Sequence, residues 1–205
     1  MKKIIYIIMF SLIIVGLTGC GNSNKLNESS KNDQEDINIG SDNKVNENRK
    51  SLVLYFSATG TTKGVAEKIA TISNSDIVEI IPKEKYTSSD LDYSNNNSRA
   101  NREQNSSSAR PEIENQINLN EYNVIYLGYP IWWGDIPKII LTLLDTYNLD
   151  GKTVIPFCTS GSTGISQSQS TLESYNKNIK WINGKRFSSN VSHKELESWI
   201  NEFNL

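Results

Sequence analysis

Ser57-Ala58-Thr59-Gly60-Thr61-Thr62 places four hydroxyl side chains within six residues, between an apolar run and a helical pattern. Backbone N–H groups and the helix dipole make a helix N-terminus attractive to an anion. Hydroxyls add neutral donors for phosphate oxygens. Neither G-x-x-x-x-G-K-[ST] nor G-x-G-x-x-G can be written here, so this is not a Walker loop or a dinucleotide-binding turn. Reliance on hydroxyls and amides rather than a cation suits a terminal phosphate held without magnesium.

Two further stretches could line a site. Gly128-Tyr129-Pro130-Ile131-Trp132-Trp133-Gly134-Asp135-Ile136-Pro137 contains two of the four Trp side by side. Neighbours on a strand face opposite ways, so at most one of them belongs to a single packed face. The other offers a flat aromatic surface. Thr159-Ser160-Gly161-Ser162-Thr163-Gly164 is small and polar, and follows an apolar run that ends at Cys158. Cys158 reads as a small buried residue rather than a reactive thiol. His193 is the single His and falls on the polar side of a helix, where it reads as solvated. With no Cys/His cluster, no metal site is assigned. No residue is given a catalytic role.

The elements that must position these loops alternate. Leu52 to Phe56 is a near-continuous apolar run, as in a parallel strand covered on both faces. A helix follows, with Val65, Ala66, Ile69, Ala70 and Ile72 on one side. Ile77 to Ile81 reads as a second strand and Val124 to Leu127 as a third. The next helix carries Ile139, Ile140, Leu141, Leu143 and Leu144, with Asp135 as candidate N-cap and Pro137 in its first turn. Val154 to Cys158 is a fourth strand in which Pro156 cannot donate to a ladder, so an irregularity is expected there. A weakly patterned helix runs through Leu172 and Tyr175, and Lys180-Trp181-Ile182 is a short fifth strand. Ser192-His193-Lys194-Glu195 is a capping box, followed by Leu196, Trp199, Ile200 and Phe203 at helical spacing. This alternation predicts an α/β domain, a doubly wound parallel sheet with right-handed crossovers. Ligands of such sheets bind beyond the C-terminal strand ends, so chemistry is expected in the loops after strands one, three and four.

The folded part begins near Ser51. Before it, Lys2 and Lys3 precede an apolar run from Ile4 to Leu17 that ends in Thr18-Gly19-Cys20. Charged start, apolar middle and small-residue end make residues 1–19 an export signal; about 20 apolar residues would be needed to span a bilayer, and this run is shorter. Leu17-Thr18-Gly19-Cys20 resembles the lipobox of bacterial lipoproteins, which implies cleavage before Cys20 and lipidation of its thiol. Residues 20–50 then form a tether: eight of the thirty residues after Cys20 are Asn and few are aliphatic, too few to offset the entropy of ordering. Such a coil reaches ~30 Å. The formal charge of −2 becomes −4 once the two Lys of the signal are removed, leaving 19 positive against 23 negative charges. A mild acidic excess argues against nucleic acid as partner.

Ser57-Ala58-Thr59-Gly60-Thr61-Thr62 after an apolar first strand resembles the phosphate loop of flavodoxins, S/T-x-T-G-x-T. Leu127 to Asp135 resembles the family's loop after strand three, and Phe157 to Gly164 its loop after strand four. The resemblance spans about residues 52 to 203. It implies a five-stranded sheet in the order 2-1-3-4-5 and FMN as cofactor. Ser57, Thr59, Gly60, Thr61 and Thr62 would wrap the FMN phosphate. Pro130, Ile131, Trp132, Trp133 and Gly134 would wall the flavin, with Trp133 the first choice for stacking and Trp132 packed beneath or guarding the rim. Thr159, Ser160, Gly161, Ser162, Thr163 and Gly164 would give amides to the pyrimidine edge.

One departure is the absence of an aromatic residue from Thr159 to Gly164. The ring is then open on one face, or covered from elsewhere. The stretch from Thr87 to Arg110 is the candidate cover, or else a solvated loop; its Arg99 or Arg102 could reach the cofactor phosphate or a partner's carboxylates, and no Arg is assigned to the site. A neutral-donor site against an aromatic plane disfavours full reduction of the flavin. The leading expectation is a lipid-anchored, extracytoplasmic electron-transfer protein acting on a redox partner protein or a small quinone-type acceptor. Two alternatives remain: an NAD(P)H-dependent quinone or nitro reductase using FMN, and a non-catalytic module for another phosphorylated ligand.

Overall fold

The computed structural model describes residues 50–204; the expected export signal, Cys20 and most of the expected tether lie outside the described residues. Elements follow in the order β1 (Ser51–Tyr55), α1 (Thr61–Ser73), β2 (Asp76–Glu79), α2 (Arg99–Gln104), β3 (Val124–Pro130), α3 (Lys138–Thr146), β4 (Thr153–Thr159), α4 (Ser166–Tyr175), β5 (Lys180–Trp181), β6 (Lys185–Phe187) and α5 (His193–Asn201). All pairings in the sheet are parallel, in the order β2-β1-β3-β4-β5. The doubly wound fold expected from the sequence is borne out.

Alternation along the strands feeds two cores. Leu52, Leu54 and Phe56 join Ile125, Leu127 and Tyr129 on one face, under Ile139, Ile140 and Leu143 of α3 and Leu172 of α4. Val53 and Tyr55 join Tyr126, Ile155 and Phe157 on the other, under Val65, Ala66 and Ile69 of α1 and Leu196 and Trp199 of α5. Strands covered twice need apolar residues at nearly every position, which is why β1 and β3 read as continuous runs. Each such side chain contributes roughly 1.5–3 kcal/mol by leaving water.

The fifth position of the sheet is split. β5 pairs with β4 at Val154↔Trp181, and β6 resumes at Phe157↔Lys185. The edge therefore carries one more residue than β4 over this interval, which is a bulge. It lies beside Pro156. Ile182 donates its N–H to the Val154 carbonyl at 3.0 Å, so Pro156, two residues on, also presents its donorless nitrogen to this edge. Gly184 fills the gap: a Cβ there would stand 2.3 Å from the Pro156 carbonyl oxygen. The irregularity expected at Pro156 falls on its neighbour.

Asp135 does not cap α3. The helix begins at Lys138, with Pro137 in the N-cap position and no side-chain cap. The Asp135 carboxylate instead accepts from the Ile136 N–H at 2.7 Å and the Thr171 hydroxyl at 2.9 Å, and its backbone is locked into a turn with Trp132. At α5 the expected cap is present, the Ser192 hydroxyl accepting from the Glu195 N–H at 3.2 Å. His193 is exposed.

Candidate functional site

The loops after β1, β3 and β4 converge on one cleft of about 560 Å³, lined by Ala58, Thr59, Thr61, Leu91, Tyr93, Pro130, Ile131, Trp132, Thr159, Ser160, Gly161, Ser188 and Ser189. Small-molecule sites occupy roughly 300–1,000 Å³. The cleft lies at the C-terminal ends of the strands, between β1 and β3, where the strand order reverses. Doubly wound sheets place ligands there.

The hydroxyl-rich loop forms one end. Gly60 takes the N-cap position of α1 with φ 87°, and its N–H donates to the Ser57 hydroxyl at 3.1 Å. The N–H groups of a helix's first turn have no intrahelical acceptor, and here they open beside exposed Thr59 and Thr61, whose hydroxyls lie 3.4 Å apart. Thr62 is placed differently. It is buried, with its hydroxyl 2.8 Å from that of Thr159, and ties the loop after β1 to the end of β4 from below.

The two tryptophans divide the work. Trp132 is 3% exposed and packs edge-on against Phe56 at 5.6 Å and Tyr86 at 5.1 Å between ring centroids. Trp133 is 42% exposed. The Asp135 N–H donates to the Trp132 carbonyl at 2.9 Å, and the Trp132 N–H to the Asp135 carbonyl at 3.0 Å. Between them Trp133 and Gly134 have φ of 49° and 80°. Positive φ at both central positions marks a type I′ turn. Gly134 adopts this freely, whereas a tryptophan in the left-handed region costs on the order of 1 kcal/mol. That strain holds an indole out toward solvent, and neither Trp133 nor Gly134 is among the residues lining the cleft.

The long segment between β2 and β3 reaches the site. Leu91 and Tyr93 line the cleft, and the Tyr93 ring lies 4.4 Å from that of Trp133, tilted by 36°. The segment is held from beneath: the Gln104 amide donates to the carbonyls of Trp132 at 3.0 Å and Ile136 at 3.2 Å, and Asn101 donates to that of Asn95 at 2.7 Å. Its arginines are spent locally. Arg99 pairs with Glu103 at 2.7 Å and covers the Tyr86 ring at 4.1 Å, Arg102 bonds the Asn97 carbonyl, and Arg110 pairs with Asp145 at 2.6 Å.

At the opposite end Thr159, Ser160 and Gly161 line the cleft, while Ser162, Thr163 and Gly164 continue outward as an exposed rim. Arg186 of β6 stands behind this loop and bonds the Ser160 carbonyl at 2.8 Å. The cleft lining itself carries no Lys or Arg; this cation stands behind it. Burial pushes the nearby Cys158 thiol up to about 12, against a weaker pull from Arg186, which leaves it protonated and inert. Sequence reading reached Leu91 and Tyr93 only as part of the candidate cover from Thr87 to Arg110, and missed Ala58, Ser188 and Ser189 in the lining and Arg186 behind it. The doubled serine after a short Lys-Arg-Phe strand was the available signal for the last three.

With this geometry in hand, likeness to known proteins acquires meaning. The flavodoxin family profile matches residues 50–203. A solved structure of a presumed flavoprotein from Bacteroides eggerthii is 39% identical, covering 77% of this chain and 99% of that one, with a TM-score of 0.73. Its counterpart from Bacteroides uniformis is 40% identical over 75% of this chain and 98% of that one, with a TM-score of 0.72. A flavoprotein from Lactobacillus acidophilus, solved in complex with FMN, is 27% identical over 77% of this chain and 99% of that one, at a TM-score of 0.53. Among curated proteins no match is found. The chain belongs to the flavodoxin family, whose cofactor is FMN.

Proposed function

We propose that this protein binds FMN in the cleft and serves as an electron-transfer protein. One observation carries the reading: hydroxyls at the N-terminus of α1, the loop after β3 and the loop after β4 line one cleft together with Tyr93, whose ring lies against the exposed Trp133 indole on its strained turn. That donor set fits a planar ring bearing a phosphate ester. The Lactobacillus acidophilus relative, solved with FMN, supports the same ligand.

When bound, FMN supplies one- and two-electron redox chemistry. The chain's own residues supply the setting. Ser57, Thr59, Gly60, Thr61 and the first-turn amides of α1 would hold the phosphate; Thr62 would act through Thr159 by fixing the loop's height. Trp133 would stack on the ring, while Pro130, Ile131 and buried Trp132 exclude water beneath it. Gly134 can turn its peptide at little cost because it has no Cβ. Thr159, Ser160 and Gly161 would meet the pyrimidine edge, with Ser162, Thr163 and Gly164 at its rim.

Export and lipidation at Cys20 would hold the domain outside the cytoplasm, tethered by residues 20–50 to the membrane face. A redox partner protein is the favoured acceptor. The exposed flank of Trp133 keeps a second reading alive, in which a small quinone-type or nitro compound reaches the ring directly and NAD(P)H supplies electrons. The purified full chain is expected to be yellow, or to become so on adding FMN, and to be reduced in resolved steps by anaerobic dithionite. A colourless protein without FMN affinity sinks the reading; rapid quinone turnover with NADPH and no partner selects the enzyme.

A further inference from the structure

Arg186 has a role that the cofactor contacts above do not require. It sits in β6 opposite Cys158 of β4, and its half-buried guanidinium reaches the loop that follows β4. Nε donates to the Ser160 hydroxyl at 3.2 Å, and Nη2 donates to the Ser160 carbonyl at 2.8 Å and to the Gly161 carbonyl. The Ser160 hydroxyl in turn donates to the Thr163 carbonyl at 2.5 Å. Three carbonyls of the loop are therefore held by one connected set of donors.

A trans peptide points its N–H away from its C=O. Drawing the carbonyls of Ser160, Gly161 and Thr163 toward this set turns the N–H groups of Gly161, Ser162 and Gly164 the other way. Only a planar fork matches a hydroxyl and two carbonyls at once; a lysine has a single ammonium on a flexible stem. The guanidinium also brings a positive charge to the loop. Among the described residues it has no carboxylate within ion-pair distance, so its charge is not cancelled locally.

Resting on the FMN reading above, we infer that Arg186 is a positioning residue: it presets the Thr159–Gly164 loop for the pyrimidine edge of the ring. Its charge, held behind that loop, favours the reduced, more negative cofactor. Sequence alone pointed the other way, to a site without a cation.

The test compares the full chain with Arg186→Lys and Arg186→Gln, each checked for folding by circular dichroism, and measures affinity for FMN in the oxidised and the dithionite-reduced state. Both variants are expected to lose on the order of tenfold in oxidised affinity, the scale of a lost charge-assisted hydrogen bond. Arg186→Lys keeps the wild-type ratio of reduced to oxidised affinity. Arg186→Gln loses several-fold more on the reduced form, so its midpoint potential falls. Wild-type affinity in both variants overturns the positioning role, and an unchanged ratio in Arg186→Gln overturns the role of the charge. A wild-type chain that binds no FMN overturns the underlying reading before any variant is made. If the variants do not fold, proton exchange at Arg186 Nε in the wild type decides: slow exchange is expected, and exchange at the free-arginine rate overturns the proposal.

Discussion

Two clefts of similar size lie at opposite ends of the same sheet, about 560 Å³ at the C-terminal strand ends and about 610 Å³ at the N-terminal ends. The second is lined by Lys50, Ser51, Asp76 and Val124 at strand starts, by Ser73 and Asn74 at the end of α1, and by Ile200 and Asn201 at the end of α5. Volume would favour it. Chain polarity does not, because helices end there and present carbonyls and the negative pole of their dipoles. Its charges are also satisfied: Lys50 pairs with Glu121 at 2.8 Å and Asp76 at 3.0 Å, and Tyr122 donates to Asp76 at 2.7 Å. At the other end a helix N-terminus and the hydroxyls of Thr59 and Thr61 present donors and the positive pole of a dipole. What separates the two clefts is the direction of the chain through them.

The comparison breaks most visibly at the floor of the upper cleft. Trp132→Ala removes a buried ring packed on Phe56 and Tyr86 and is expected to cost ~3–5 kcal/mol of stability, read from urea denaturation. Trp133→Gly should do the reverse. Relief of the left-handed strain offsets the lost contact with Tyr93, so stability stays within about 1 kcal/mol. FMN affinity falls by roughly 1–3 kcal/mol, the worth of one aromatic stacking contact, as measured by quenching of flavin fluorescence. At the opposite cleft Lys50→Ala removes an exposed ion-pair cluster; a slight, salt-sensitive drop in melting temperature and unchanged FMN affinity are expected.

The smallest effect concerns pH. Asp90 is held below the usual carboxylate range by hydrogen bonds from Thr87, and Asp92 by those from Ser94. Groups with lowered folded values stabilise above their unfolded value, about 3.9, and lose that contribution as pH falls through the folded value. The segment that presents Leu91 and Tyr93 should therefore keep its structure from pH 8 to 5 and loosen below about pH 4. Tryptophan fluorescence, reporting Tyr93 against Trp133, checks it.

Much of this was legible in the sequence for physical reasons. Twice-covered strands must be apolar almost throughout, so β1, β3 and β4 stood out, and strand polarity then located the three loops. Within residues 80–123 the stretch from Thr87 to Arg110 was legible as a candidate cover, but not which residues reach the cleft, because Leu91 and Tyr93 are positioned by side chain–backbone bonds without periodicity, such as those of Asn101. Arg186 was hidden because β6 has three residues, too short for any pattern. Asp135 misled because a good capping residue was already committed to its own turn.

The most direct test of which cleft binds is to follow backbone amide resonances of the protein during FMN titration. Shifts are expected at Ser57 to Thr62, Ile131 to Asp135 and Thr159 to Gly164, with Ser73, Asn74 and Asn201 still. Shifts gathered around Lys50, Asn74 and Asn201, or none at saturating FMN, would contradict the assignment of the site.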